Sequence, residues 1–206
     1  MEPLAPADRA IVNTPRRPLY TIGYGNQTWA TFLEWLRFYD IDVLIDVRSH
    51  PYASYQQDFS QKPLAHLCKA AGIRYAFWGE YLGGKPDNPD LYTNGVVDYE
   101  KCRVETGFQT HLARLENAFH QQISVALMCG CARPENCHRS KLIGTALSER
   151  GVPVHHILPD GSLLTQEKLW TSADTMPDLF GFQPHLAGRW KRSEAAPDAT
   201  ESSYDP

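Results

Sequence analysis

The sequence predicts one three-layer α/β domain, a mostly parallel sheet of about five strands with helices on both faces. Three observations support this. Short β-forming apolar runs alternate with stretches whose apolar residues recur at helical spacing. The 206 residues suffice for one complete domain with a real core and are short for two. The 42% hydrophobic content, with 11% aromatic residues, is ordinary for a globular protein.

Leu19 to Tyr24 reads as a first strand closed by Gly23-Tyr24-Gly25-Asn26. Thr28 is placed to cap a helix whose apolar face is Phe32, Leu33, Leu36 and Tyr39. Val43 to Val47 is a continuous apolar run, the mark of a buried strand. Lys62 to Gly72 has Leu64, Leu67, Cys68 and Ala71 at helical spacing, with Gly72 as its stop. Ile73 to Trp78 gives a third strand, and Phe108 to Gln121 a helix with Leu112, Leu115 and Phe119 on one face. Ile123 to Met128 is a fourth strand, His138 to Arg150 a fourth helix ending at Gly151, and Val152 to Leu158 a fifth strand.

Residues 79–105 break the alternation with Gly83-Gly84, Pro86, Pro89 and Gly95, and read as an irregular insertion, either simply solvent-exposed or a binding loop or lid. The domain proper is expected over 19–187. Residues 1–18 hold four prolines and read as a loose lead-in, and 188–206 has the polar composition of a disordered tail.

A net charge of −4 and a pI near 6.0 exclude a protein that coats nucleic acid by bulk charge, though not a local basic groove. No apolar stretch approaches the roughly 18 residues of a membrane span, and the amino end lacks a secretory signal layout. Five cysteines, three of them within nine residues, read as reduced thiols of a cytoplasmic protein.

Those three cysteines mark the most informative segment. The strand ending at Met128 runs into Cys129-Gly-Cys131, and Cys137-His138-Arg139-Ser140 opens the next helix. In open α/β sheets ligands sit where strand carboxyl ends meet helix amino ends. The second strand delivers Asp46, Arg48, Ser49 and His50 to the same edge, and the first delivers Tyr24 and Asn26. Arg48 and Arg139 are the expected anion holders, their planar donor forks suited to phosphate or carboxylate. Asp46 is their counter-charge or a general base; the alternative is a structural Asp46–Arg48 ion pair.

Cys137, ahead of a helix and beside His138 and Arg139, is set up as a thiolate nucleophile. Tyrosine-phosphatase and rhodanese loops do not fit, because seven residues separate Cys131 from Arg139. A metal is the other option: Cys129, Cys131, Cys137 and His138 are the donors that zinc or iron prefers. No dinucleotide fingerprint, phosphate-binding P-loop, nucleophile elbow or zincin motif occurs.

Gly-Tyr-Gly-Asn after the first strand, Asp-Val-Arg-Ser-x-Pro after the second, Gly72-Ile73-x-Tyr75, Leu82-Gly83-Gly84, and Leu-Met-Cys with a later Cys-His-Arg follow in order over 19–158. Together they resemble the domain-of-unknown-function 488 family, which implies an α/β fold and carries over Asp46, Arg48, Cys129, Cys137, His138 and Arg139. The chain departs from the family pattern at Tyr24-Gly25, where a His-Ser pair is common, and at Cys131, where an acidic residue is commoner. The second departure favours soft-metal or thiol chemistry.

The leading expectation is therefore an enzyme acting on a phosphate-bearing small molecule, nucleotide or nucleic-acid component. Tyr24, Asn26, Ser49, His50 and Ser140 would line its substrate site. The alternative is a non-catalytic metal-binding or nucleic-acid-sensing module, and the plainest option is a regulatory partner with an inactive cleft.

Overall fold

The computed structural model describes residues 16–174. The expected tail at 188–206, and all but the last three residues of the lead-in, lie outside the described residues. The strands are β1 (Leu19–Gly23), β2 (Val43–Asp46), β3 (Arg74–Phe77), β4 (Tyr92–Thr93), β5 (Val96–Val97), β6 (Val125–Cys129), β7 (Val154–Ile157) and β8 (Leu163–Thr165). The helices are α1 (Trp29–Phe38), α2 (Gln61–Ala70), α3 (Gly79–Leu82), α4 (Tyr99–Val104), α5 (Thr106–His120), α6 (Thr145–Glu149) and α7 (Gln166–Asp174).

Six strands form the main sheet in the order β3-β2-β6-β1-β7-β8. The five expected strands are all present and mutually parallel. The sixth, β8, pairs antiparallel with β7 through a hairpin at Pro159-Asp160-Gly161. Its three residues are too short to show an alternation, which is why the sequence gives only a turn there.

Two apolar clusters make the layers. Phe32 and Leu36 of α1 with Leu64 and Cys68 of α2 pack on one face, against Ile22, Leu44 and Met128. Phe108, Leu112 and Leu115 of α5 and Leu142, Ile143 and Leu147 pack on the other, against Ile45, Leu127 and Val154. Thr28 caps α1 as expected, its side chain accepting from the Thr31 N–H at 3.3 Å.

Two expectations change. Residues 79–105 are ordered and contribute to the core: they carry α3, the β4–β5 hairpin and α4, and bury Leu82, Leu91, Val97, Tyr99 and Cys102. Elements of two to six residues are shorter than any period the sequence can display. The helix expected from His138 opens instead as a π-helical turn, Arg139–Gly144, before α6. The Thr145 hydroxyl donates to the Ser140 carbonyl at 3.1 Å, five residues back, within this widened turn. Such turns cluster at functional sites.

Candidate metal centre at the strand ends

Parallel pairing brings three strand ends together. Gly23 of β1 is in register with Cys129 of β6, and Asp46 of β2 with Met128. Alternation along each strand then sorts the side chains by face. Asp46 and Arg48 turn toward Tyr24, Phe59 and Tyr75, while Val47, Cys129 and Cys137 belong to the opposite cluster.

On the first face Asp46 and Arg48 form a closed clamp. The Arg48 Nε and Nη2 groups donate to the two Asp46 oxygens at 2.9 and 2.6 Å, and the Arg48 backbone N–H donates to Oδ1 at 3.1 Å. The Tyr75 hydroxyl donates to Asp46 Oδ2 at 2.9 Å, and Arg48 Nη2 also reaches the Phe59 carbonyl at 2.7 Å. The guanidinium lies 5.3 Å from the Tyr24 ring centre, and that ring stacks on Phe59 at 4.3 Å. Burial pulls the Arg48 pKa down, but the hydrogen bonds and charge of Asp46 outweigh it and hold the group protonated. Burial and then the Asp46 charge keep the Tyr75 phenol neutral by raising its pKa. This is the structural ion pair that the sequence left open.

On the second face the three thiols of Cys129, Cys131 and Cys137 lie within 4.8 Å of one another. His138 Nδ1 sits 3.9 Å from Cys129 Sγ and 3.8 Å from Cys137 Sγ. The other ring nitrogen, Nε2, is 2.9 Å from the Val47 carbonyl. A carbonyl only accepts, so Nε2 carries the proton and, in the neutral ring, Nδ1 offers its lone pair toward the sulfurs. Metal-bound histidines are held in this way, their second nitrogen anchored to a carbonyl. Gly84 permits the arrangement, since a Cβ there would lie 2.7 Å from His138 Cγ.

The thiols titrate as a unit. Hydrogen bonds from Cys131 and Cys137 hold Cys129 well below the usual thiol range. The same bonds raise Cys131 and push Cys137 up to about 12. Burial opposes protonation of His138, but the Cys129 charge outweighs it and raises the imidazole pKa.

The structure brings together Cys129, Cys131, Cys137 and His138, and separates them from Asp46 and Arg48. The expectation of one pocket shared by both guanidinium groups and the thiols changes for Arg48, which meets the thiols at one edge of the sheet but backs onto the opposite face. Arg139 is on the thiol side but is fully buried rather than facing a ligand cleft, and its Nη2 donates to the Ala132 carbonyl at 3.1 Å. Ser140 is buried too, its hydroxyl bonded to the Pro134 and Cys137 carbonyls. Ser49 accepts the Lys85 N–H at 2.8 Å and lines a cleft of about 280 Å³ with Gly83, Lys85, Gly107 and Phe108. His50 and Asn26 are exposed, and Tyr24 is half-buried.

Tyr99 was missed. Its buried hydroxyl has no partner among the described residues, and burial, then the charges of Cys137, Cys102, Cys129 and Cys131, raise its pKa. Nothing in its local sequence links it to cysteines some 30 or more positions on.

A family model described as domain of unknown function DUF488 matches residues 28–145. That span runs from the cap of α1 to the first residue of α6 and contains the clamp, the three thiols and His138. No curated protein and no solved structure matches the chain significantly. No helix of the described residues is long and apolar enough to cross a membrane.

Proposed function

We propose, for a chain that belongs to the family of the domain of unknown function DUF488, that it works as a metal-binding module. Cys129, Cys131, Cys137 and His138 hold one zinc or iron ion. The observation that carries this reading is the convergence of three thiols within 4.8 Å of one another, two of them 3.9 and 3.8 Å from His138 Nδ1. Zinc–sulfur bonds of about 2.3 Å place neighbouring sulfurs of a tetrahedron roughly 3.8 Å apart, so only a small contraction is needed. Four protein ligands fill a tetrahedral zinc site and leave no position for a reacting water, the pattern of structural rather than catalytic zinc. The ion would tie the end of β6 to the loop 130–138 and to the π-helical turn. Clustered free thiols persist in a reducing compartment, which supports a cytoplasmic location.

Elemental analysis of the purified full chain tests it. About one equivalent of zinc or iron is expected, lost in Cys131→Ser and Cys137→Ser. Wild-type protein with no bound metal, and no uptake of added zinc after reduction, would refute it.

A second reading, an enzyme acting on a phosphate-bearing small molecule or nucleic-acid component, draws on the cleft beside Ser49 and Lys85 at the same edge of the sheet. It calls for turnover of a nucleotide or phosphate ester that Ser49→Ala diminishes. Full turnover in that variant counts against it.

A further inference from the structure

We infer that Arg139 and Tyr99 form an outer shell around the metal centre, and that their donors match a cluster of net charge −1, which selects a divalent ion. The inference rests on the metal reading above and adds the charge of the ion and the residues that set it.

Arg139 is fully buried, and a guanidinium cannot shed its proton in a protein. Its Nη2 has the Ala132 carbonyl, yet Nε and Nη1 find no acceptor among the described residues. No carboxylate comes within ion-pair distance of it among those residues. A buried charge is retained when an opposite charge or a metal cluster compensates it. Arg48 shows the first solution in the same molecule, and Arg139 has no Asp46 of its own.

The compensating charge is beside it. Arg139 immediately follows His138 and is two residues from Cys137. Its guanidinium and the Cys131 carbonyl crowd the same point against Gly23, whose register partner is Cys129. Three thiolates, a neutral imidazole and a divalent ion sum to −1, which one guanidinium balances. A trivalent ion brings the cluster to zero and leaves Arg139 uncompensated.

Tyr99 adds a second donor to the outer shell, without bearing on the charge. Its hydroxyl is a buried donor without an acceptor, in the packed cluster that contains Cys129 and Cys137. A thiol is a poor acceptor, whereas a metal-bound thiolate accepts hydrogen bonds readily. Replacing the S–H protons by one divalent ion therefore creates acceptors where two orphaned donors already lie.

The test uses the full chain, with zinc affinity read by chelator competition and cobalt(II) as a spectroscopic probe. Arg139→Gln should weaken zinc binding by about 10- to 100-fold, the usual effect of losing an outer-shell partner, and Arg139→Lys should restore most of it by restoring the charge. Tyr99→Phe should move the thiolate-to-cobalt absorption to longer wavelength with tetrahedral bands retained, because a lost hydrogen bond raises the sulfur donor level.

If the wild type binds metal while Arg139→Gln and Tyr99→Phe leave affinity and spectrum unchanged, the inference is overturned and the metal reading stands. If the wild type binds neither ion, the metal reading fails and takes this inference with it. If Arg139→Gln does not fold, the Tyr99→Phe band decides alone, and an unmoved band overturns the inference.

Discussion

Two polar clusters share the carboxyl edge of one sheet, on opposite faces, and they differ in how completely they satisfy themselves. The Asp46–Arg48 clamp is closed: charge meets charge in a bidentate pair, and Tyr75 and the Phe59 carbonyl take further bonds. The thiol cluster is open, with three sulfurs sharing few partners and the Arg139 and Tyr99 donors unmatched nearby. Buried groups that complete one another hold a fold together. Buried groups that do not complete one another have room to take a partner from outside the chain, which is what the metal reading proposes for the thiols.

The sharpest way to break this contrast is to open the clamp. Asp46→Asn leaves the Arg48 guanidinium buried without a counter-charge, which should cost about 3–5 kcal/mol in urea unfolding. Metal content should not change, because the thiols lie across the sheet. A loss below about 1 kcal/mol, or a metal site that vanishes with an intact fold, would show that the two faces are not independent.

Acid probes the thiol face next. His156 is fully buried, bonded to the Thr21 hydroxyl at 2.7 Å and to Gln166 Oε1 at 2.9 Å. Burial first, and the Arg139 charge second, push its pKa down to about 4 from the usual 6.5. The unfolded chain therefore binds a proton below pH 6.5 that the folded chain refuses until about pH 4. Stability should be level above that window and fall as pH is lowered through it, by on the order of 3 kcal/mol from this residue. His156→Gln should flatten that part of the profile, and an equally steep profile in the variant would assign the loss to other groups.

Much of the frame was legible because it obeys long periods. The five parallel strands and helices α1, α2 and α5 each span enough residues to display their spacing, and the cysteine-rich segment stood out by composition. The sorting by face was not read. Asp46 and Arg48 sit two apart and so share a face, as the sequence suggested, but which face the cysteines take depends on how β6 inserts between β2 and β1. The inward turn of Arg139 and Ser140 follows from the π-helical turn, whose apolar positions look α-helical over so few residues. Tyr99 reaches the thiols only through the docking of α4, a six-residue helix hidden in what read as loop.

A smaller effect separates fold from site on the thiol face itself. Gly84→Ala places a methyl group against Cβ, Cγ and Nδ1 of His138, the root of the side chain, so the residue must move to make room. Overpacking of this kind should cost about 1–3 kcal/mol. On the metal reading the displaced ring is a ligand, so zinc binding should weaken disproportionately, read by chelator competition. Stability and affinity unchanged together would mean that His138 has freedom the close packing denies, and would remove it from the ligand set.

The smallest effect compares cysteine with cysteine. Cys68 lies on the clamp face and Cys102 in α4; burial pushes their thiols up to about 12 and about 11, so both stay protonated and inert near neutral pH. Cys68→Ala removes one buried sulfur from an apolar cluster and should cost only about 1 kcal/mol, with no loss of metal. Cys131 is the half-exposed member of the trio, so an alkylating reagent meets it first. With metal bound its sulfur is engaged and labelling should be slow. A chelator should speed labelling at Cys131 and leave Cys68 and Cys102 silent until the chain unfolds. Labelling of Cys131 that ignores the chelator would mean its sulfur is not a ligand, and the open face would have to find its missing charge elsewhere.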